Sequence, residues 1–326
     1  MTDTHHDDHA ATFFDLTGRA QIEMTGSDRA RFLHNFCTND IKRLGDGEGC
    51  EAFITSIKGR VLGHVFVFAT ADSLWLDSVP GADETLIAHL DRYLITEDVA
   101  LHSRTAEFGE LFLSGPMAVE SLIKVGVDAK SLELNGHRVM GVGVGETFAA
   151  VRRVDWLNEP GFLLLVAHDK LENARNELIA AGIVESNAEV FEALRIEAGF
   201  PLYGRDISDE NLAQEVGRGK AALSFTKGCY LGQEPIARID AMGHVNRQLC
   251  SLQLTSGPVP EPDSVIVADD GVTEIGRVTS AAVSPATNLP VALAYLRRKF
   301  LTIGTNVLVQ VSEENIAATV SSCEPA

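Results

Sequence analysis

The chain is predicted to fold as a mixed α+β protein of two or three domains, and three observations lead there. At 326 residues it is longer than one ordinary hydrophobic core accommodates. Up to Arg247, short strand-like runs alternate with helical stretches across short loops, which favours antiparallel pairing over a doubly wound parallel sheet. Beyond Arg247 the texture turns to brief β-rich runs punctuated by Gly257-Pro258, Pro260, Gly271, Gly276, Pro285 and Pro290, the spacing of a small closed barrel or jelly roll.

The elements follow in order. A strand at Ala20 to Met24 leads into Thr25-Gly26-Ser27-Asp28, whose side chains suit a helix N-cap. The helix puts Phe32, Leu33 and Phe36 on one face and ends near Cys37-Thr38-Asn39-Asp40. Strands come next at Cys50 to Ile57 and Arg60 to Thr70, joined by a hairpin-like turn at Lys58-Gly59, and then at Ser73 to Asp77. A helix at Asp83 to Arg92 and a strand at Val99 to Ser103 complete the first unit. The second opens with a strand at Glu110 to Leu113, broken by Ser114-Gly115-Pro116, where proline suits the start of a helix over Met117 to Val125. Strands at Leu132 to Val142, Phe148 to Leu157 and Phe162 to Ala167, then a helix from Asp169 to Ala181, give the order of a ferredoxin-like sandwich. A helix at Val190 to Ala198, stopped by Gly199, returns the chain towards the first unit.

Composition excludes several functions. Forty-six acids against 27 bases give a net charge of −19, which repels nucleic-acid phosphates and anionic lipid. The densest basic cluster, Arg297-Arg298-Lys299, reads as a solvated strand edge, so no direct nucleic-acid partner is expected. No apolar run approaches the roughly 18 residues needed to cross a bilayer. Met1 to Ala10 is acidic and histidine-rich, without the apolar stretch of a secretory signal, and is expected to be a disordered tail on a cytoplasmic protein. Cys37, Cys50, Cys229, Cys250 and Cys323 are odd in number, scattered and free of any C-x-x-C pair. That pattern points to a reducing compartment and away from a disulfide framework, a self-contained zinc site, a four-thiolate iron–sulfur site or any permanently bound metal.

The most restrictive stretch is Lys227-Gly228-Cys229-Tyr230-Leu231-Gly232-Gln233-Glu234, followed by Pro235, a residue suited to a first helical turn. A cysteine beside a lysine and ahead of a helix N-terminus is a candidate reactive thiol, because positive charge and backbone N–H groups favour the thiolate. The alternative is a small apolar residue packed between two turns. Arg195 is the next candidate: it lies in the apolar stripe of Phe191, Leu194 and Ala198, where a buried guanidinium needs a partner. Glu192, three residues earlier, is one such partner; an anionic ligand is another. Glu159-Pro160-Gly161 fits a type II turn and carries an otherwise ordinary carboxylate.

Lys227 to Glu234, with Leu194-Arg195-Ile196-Glu197-Ala198-Gly199 and Tyr203-Gly204-Arg205-Asp206, resembles the signature of the YgfZ-type folate-binding proteins. These are relatives of the glycine-cleavage T-protein, a tetrahydrofolate-dependent aminomethyltransferase, whose matching segment lacks the cysteine. The resemblance runs from about Ala20 to about Arg298. It implies three T-protein-like domains around a central cavity: a folate-binding domain over 12–104 and 188–246, a ferredoxin-like domain over 105–187 and a C-terminal β-barrel over 247–326, after a tail of residues 1–11. Asn158-Glu159-Pro160-Gly161-Phe162 aligns with the turn whose glutamate anchors the pterin, a ring whose adjacent N–H and NH₂ groups a carboxylate accepts as a fork.

The resemblance also implies that Arg195 faces the folate and that Tyr203, Asp206, Gln233 and Glu234 line or brace the cavity. One departure matters. Where T-proteins carry an aspartate pair beside the one-carbon acceptor nitrogen, this chain has Gly63 and His64, and it lacks the asparagine that follows the Trp75-Leu76 strand. Aminomethyl transfer is therefore not expected. The function implied is a tetrahydrofolate-binding accessory to iron–sulfur cluster assembly or repair on other enzymes, some of which modify tRNA, with Cys229 as the reactive thiol. The alternative is a tetrahydrofolate-dependent aminomethyltransferase or methyltransferase.

Overall fold

The structure is a computed structural model that describes residues 11–140, 147–312 and 314–323; the acidic histidine-rich segment Met1 to Ala10 lies outside these residues. Three sheets organise a mixed α+β fold, and the chain divides into two compact units: residues 1–54 with 63–188, and residues 55–62 with 189–326.

The first unit holds two sheets. Strands β1 (Thr12–Asp15), β2 (Ala20–Thr25), β3 (Gly49–Thr55), β4 (Val61–Ala69), β5 (Ser73–Ser78) and β6 (Ala100–Ser103) accompany helices α1 (Arg29–His34) and α2 (Ala82–Asp91). Five of these strands form one sheet in the order β3-β4-β5-β2-β6. Its apolar face, from Ala20, Ile22 and Met24 to Leu74 and Leu76, buries against Phe32 and Leu33 of α1 and Leu86 and Leu90 of α2. Ser27 and Asp28 do not cap α1 as the sequence suggests. They bond to Asp98 instead, the Ser27 hydroxyl donating to the Asp98 carboxylate and the Asp98 N–H to that of Asp28.

The second sheet comes from β7 (Phe108–Ser114), β8 (His137–Val139), β9 (Phe148–Arg153), β10 (Gly161–Ala167) and β11 (Val184–Ser186), with α3 (Ala118–Lys124) and α4 (Leu171–Ala180). Its order is β11-β1-β7-β10-β9-β8. Without β1 and β8 this is the ferredoxin-like order, as expected. The strand β1, the first among the described residues, inserts parallel to β11 and antiparallel to β7 instead of joining the first sheet. Ala11, expected in the tail, is part of that sheet's core. Of the strand expected over Leu132 to Val142, the described residues hold β8, which starts only after a turn at Asn135 with a left-handed φ of 61°; residues 141 and 142 lie outside the described residues.

The second unit carries helices α5 (Ala188–Glu197), α6 (Gly219–Ala222) and α7 (Gln233–Met242) and strands β12 (Arg247–Leu254), β13 (Val265–Val267), β14 (Glu274–Val283), β15 (Pro290–Arg297), β16 (Asn306–Val311) and β17 (Glu314–Cys323). These strands close as β12-β15-β14-β13-β16-β17, a barrel, which settles the choice between barrel and jelly roll. Alternate residues such as Leu252, Leu254, Ala292, Ala294 and Leu296 fill its interior. Closure leaves no free edge, so Arg297, solvent-exposed as expected, ends a strand that is paired on both sides. Register places Cys250 opposite Cys323, with Cα atoms 4.5 Å apart, and the two form a disulfide. The cysteine pattern points away from a disulfide framework, yet one pair does form, because residues 73 apart in sequence are cross-strand neighbours once the barrel closes. Among the described residues no helix is long and apolar enough to cross a membrane, and no cluster of three or more metal-ligating side chains occurs.

Candidate functional site

The cysteine motif is pinned by glycine. Gly232 precedes α7 with a φ of 85°, and a Cβ there would collide with the Ser56 carbonyl and come 3.0 Å from Thr55 Oγ1. Gly59, at φ 69°, lies so close that its own Cβ would come 3.2 Å from the Gly232 carbonyl and 3.1 Å from Pro235. The Thr55 hydroxyl donates to the Leu231 carbonyl at 2.7 Å. The turn Ser56–Arg60 and the segment Lys227–Glu234, two motifs read separately in the sequence, are thereby brought together in the second unit. Gln214 adds a 2.7 Å bond from its amide to the Ile236 carbonyl, holding α7 from the other side.

Cys229 stands exposed on this loop, four residues ahead of α7, as a reactive thiol requires. Tyr230 beside it is buried, and the Lys227 ammonium lies 4.7 Å from the centre of its ring. Lys227 itself is only 7% exposed, so its charge is placed on an aromatic face and not held out in solvent beside the thiol. Gln233 is half-buried as the first residue of α7, and Glu234 is exposed in its first turn, where a carboxylate suits the helix dipole.

Arg195 has the buried position that its place in the apolar stripe requires, with no exposed surface. Glu192, one of the two partners the sequence offers, is there, joined by others from the loop and the barrel. Nε and Nη2 donate to the two oxygens of Glu192, Nη1 to the Phe200 carbonyl at 3.0 Å and to Asp206 at 2.8 Å, and Nη2 also to Ser280 at 3.0 Å. All five N–H groups of the guanidinium are used within the protein. The reading of Arg195 as a folate contact is corrected accordingly: it is a clamp between α5, the Asp206 loop and barrel strand β14. Asp206 is equally committed, accepting from Thr279 and Ser280 at 2.6 Å each and from the Leu202 N–H at 3.0 Å. The Arg205 guanidinium bonds Glu192 at 2.6 Å, which burial would protonate but Arg195 and then Arg205 hold below the usual carboxylate range. Tyr203 is half-buried; burial, with Asp209 nearby, pushes its phenol up, so it stays a neutral donor.

Glu159 belongs to the first unit, on the hairpin between β9 and β10. The type II turn expected there does not form. The left-handed residue is Asn158, at φ 60°, while Gly161 begins β10 as ordinary strand. Glycine is needed at 161 for a different reason: a Cβ would strike the Val154 carbonyl and approach the Phe112 ring to 2.9 Å. The Glu159 carboxylate is exposed and has no hydrogen-bond partner among the described residues.

At the departure segment, His64 is buried on β4, as a packed strand histidine, but it is not isolated. Its Nε2 lies 2.7 Å from the carboxylate of Glu51 on β3, itself 1% exposed, between the rings of Phe53 and Phe66 at 5.1 and 5.4 Å. Sequence reasoning missed Glu51, a lone acid in a strand with no motif around it. A Cβ on Gly63 would come 2.7 Å from the Leu86 side chain, so this position is filled by packing and not by a carboxylate.

A second group of buried charges joins the two sheets of the first unit. Arg19 donates through Nε to Asp77 at 2.8 Å, Gln21 through its amide at 2.6 Å, and Arg152 Nη1 donates to Gln21 at 2.8 Å with Asp77 and Glu110 at 3.3 and 3.5 Å. Burial would raise Asp77, but Arg19 and Arg152 hold its carboxyl below the usual range. Burial, reinforced by the Asp77 charge, pushes Glu110 well above it. The two carboxylates thus share a site with their proton affinities pushed apart, Glu110 up and Asp77 down.

Comparison with known proteins agrees with this architecture. Residues 2–225 match the GCVT N-terminal domain and residues 247–325 the glycine cleavage T-protein C-terminal barrel domain. An aminomethyltransferase of Herpetosiphon aurantiacus is 28% identical over 311 residues, covering 95% of this chain and 85% of that one. A chloroplastic protein of Arabidopsis thaliana, named only as a transferase, is 27% identical over 323 residues, covering 96% and 71%. The crystal structure of the glycine cleavage system aminomethyltransferase T from Bartonella henselae superposes with a TM-score of 0.86 at 19% identity, covering 98% of this chain and 88% of that one, a likeness of fold.

Proposed function

The chain belongs to the glycine cleavage T-protein family, and from that premise we propose that it is a tetrahydrofolate-binding accessory protein of the YgfZ type, acting in the assembly or repair of iron–sulfur clusters on other enzymes, including some that modify tRNA. The observation that carries the reading is Cys229, an exposed thiol on a loop fixed by two glycines, in the stretch that resembles the YgfZ signature. One thiolate holds only part of a cluster, so contact with a cluster is shared with a client or assembly protein.

For folate, Glu159 fits: its free, exposed carboxylate can accept from the adjacent N–H and NH₂ of a pterin. Arg195 braces instead of binding. Bound folate supplies a nitrogen that accepts or carries a one-carbon unit. The catalytic rival, an aminomethyltransferase or methyltransferase, is favoured by one observation, the carboxylate of Glu51 2.7 Å from His64. That carboxylate is already engaged by an imidazole and buried, which counts against its stabilising a cationic intermediate.

Two experiments separate the readings. Cells lacking the native homologue, given Cys229→Ser protein that is folded and binds folate, are expected to remain deficient in iron–sulfur enzymes; full rescue would remove the accessory role from this thiol. Aminomethylated carrier protein with tetrahydrofolate is expected to yield no ammonia above background, and clear turnover would establish the transferase.

A further inference from the structure

One end of the barrel runs against the charge of the whole chain, which has 46 acids and 27 bases. The register of β12 and β15 sets Arg247 directly opposite Arg297. Like charges directly opposite on a sheet repel, and such a pair is sustained by a counter-charge. Glu215 reaches Arg247 at 3.3 Å, while Arg297 has no acidic partner among the described residues. The chain continues into Arg298 and Lys299, both exposed and likewise without an ion pair among those residues. The four cations line a cleft of about 930 Å³ in which Glu215 is the single acid.

A second cleft, of about 430 Å³, shares Arg247 and Arg297 and is lined also by Tyr295. It balances its arginines with as many carboxylates, so the excess positive charge lies in the larger cleft. Tyr295 is 7% exposed, its ring lies under the Arg247 guanidinium at 5.1 Å, and its hydroxyl has no hydrogen-bond partner among the described residues. Burial, then Glu215 and Asp206, keep that phenol protonated, leaving an unused donor beside the shared arginines.

We propose that this end of the barrel binds a small polyanion, a chain of carboxylates or of phosphates that bridges Arg247 and Arg297 and extends onto Arg298 and Lys299. The larger cleft has the volume of a small-molecule site. A nucleic-acid track needs a long positive stripe, which a chain of net charge −19 does not favour. The inference rests on the barrel alone and stands apart from the folate reading.

The test is isothermal titration of the full chain at low salt with tri-γ-glutamate and, separately, inorganic tripolyphosphate, which distinguishes the two sources. Saturable binding of one of them is expected, weakened about tenfold or more by Arg297→Gln. Without ligand, Arg297→Gln is expected to raise the melting temperature by relieving the repulsion with Arg247, whereas a residue needed only for packing would lower it. The exposed pair Arg298→Gln and Lys299→Gln gives the same affinity reading should the Arg297 variant fail to fold. No binding of either probe, affinity unchanged by these substitutions, or tighter and steeply salt-dependent binding of a single-stranded RNA oligonucleotide would each overturn the proposal.

Discussion

Arg195 and Asp206 share a 2.8 Å ion pair in which neither side chain reaches solvent. Asp206 in turn takes the hydroxyls of Thr279 and Ser280, so a helix, a loop and a barrel strand meet on one carboxylate. Removing one partner strands the other. Arg195→Ala is expected to lower stability by about 3–5 kcal/mol, the usual cost of breaking a buried pair, measured by urea denaturation. A loss under 1 kcal/mol in the same measurement would show that water replaces the guanidinium freely.

Two glycines bracket α7 and differ in one respect. Gly232 and Gly243 both have positive φ, 85° and 70°, but a Cβ meets the Ser56 carbonyl only at Gly232, whereas Gly243 has nothing within 4 Å. Gly243→Ala is expected to cost about 1 kcal/mol from backbone strain alone. Gly232→Ala should cost clearly more and loosen the Cys229 loop, seen as faster hydrogen exchange at Leu231 to Glu234. Equal costs would mean that the contact with the Ser56–Arg60 turn does not position the motif.

The buried carboxylate pair sets a pH dependence. Glu110 titrates higher in the folded chain than in the unfolded one, so its stabilisation is complete below the unfolded value near 4.5 and is lost as pH rises through the folded value. Asp77 behaves oppositely, its contribution present above about 3.8 and lost as pH falls through its lowered folded value. Glu110→Gln mimics the protonated carboxyl. It is expected to flatten the decline in stability as pH rises above about 4.5, measured by denaturation at increasing pH. An unchanged slope would show that another group governs it.

Thiol accessibility follows from position. Cys229 is exposed, Cys50 half-buried, Cys37 buried, and Cys250 and Cys323 are joined. Iodoacetamide on the native oxidised chain is expected to label Cys229 first, as read by peptide mass spectrometry, with Cys250 and Cys323 labelled only after reduction. Faster labelling of Cys37 would contradict the placement of the loop.

The sequence made some of this legible and hid the rest for physical reasons. Turn residues and amphipathic spacing located α5, the start of α7 and the β-rich region past Arg247, because each is set by local chemistry. Glu192 was legible as a partner of Arg195, since residues three apart share a helix face. Glu51 beside His64, Arg297 opposite Arg247 and the disulfide of Cys250 with Cys323 depend on strand register, and register is fixed by distant pairing that no short window contains. The turn at Glu159 misled because glycine at 161 serves a close approach to Val154 and Phe112, a use that reads in sequence like the turn glycine it is not.

The central claim is folate binding through Glu159, and ultraviolet difference titration of the full chain with tetrahydrofolate tests it most directly. The account predicts a saturable spectral change, weakened by about 1.5–3 kcal/mol in Glu159→Ala protein whose fold is intact by circular dichroism. No saturable change at millimolar tetrahydrofolate, or identical affinity in the Glu159→Ala protein, would contradict it.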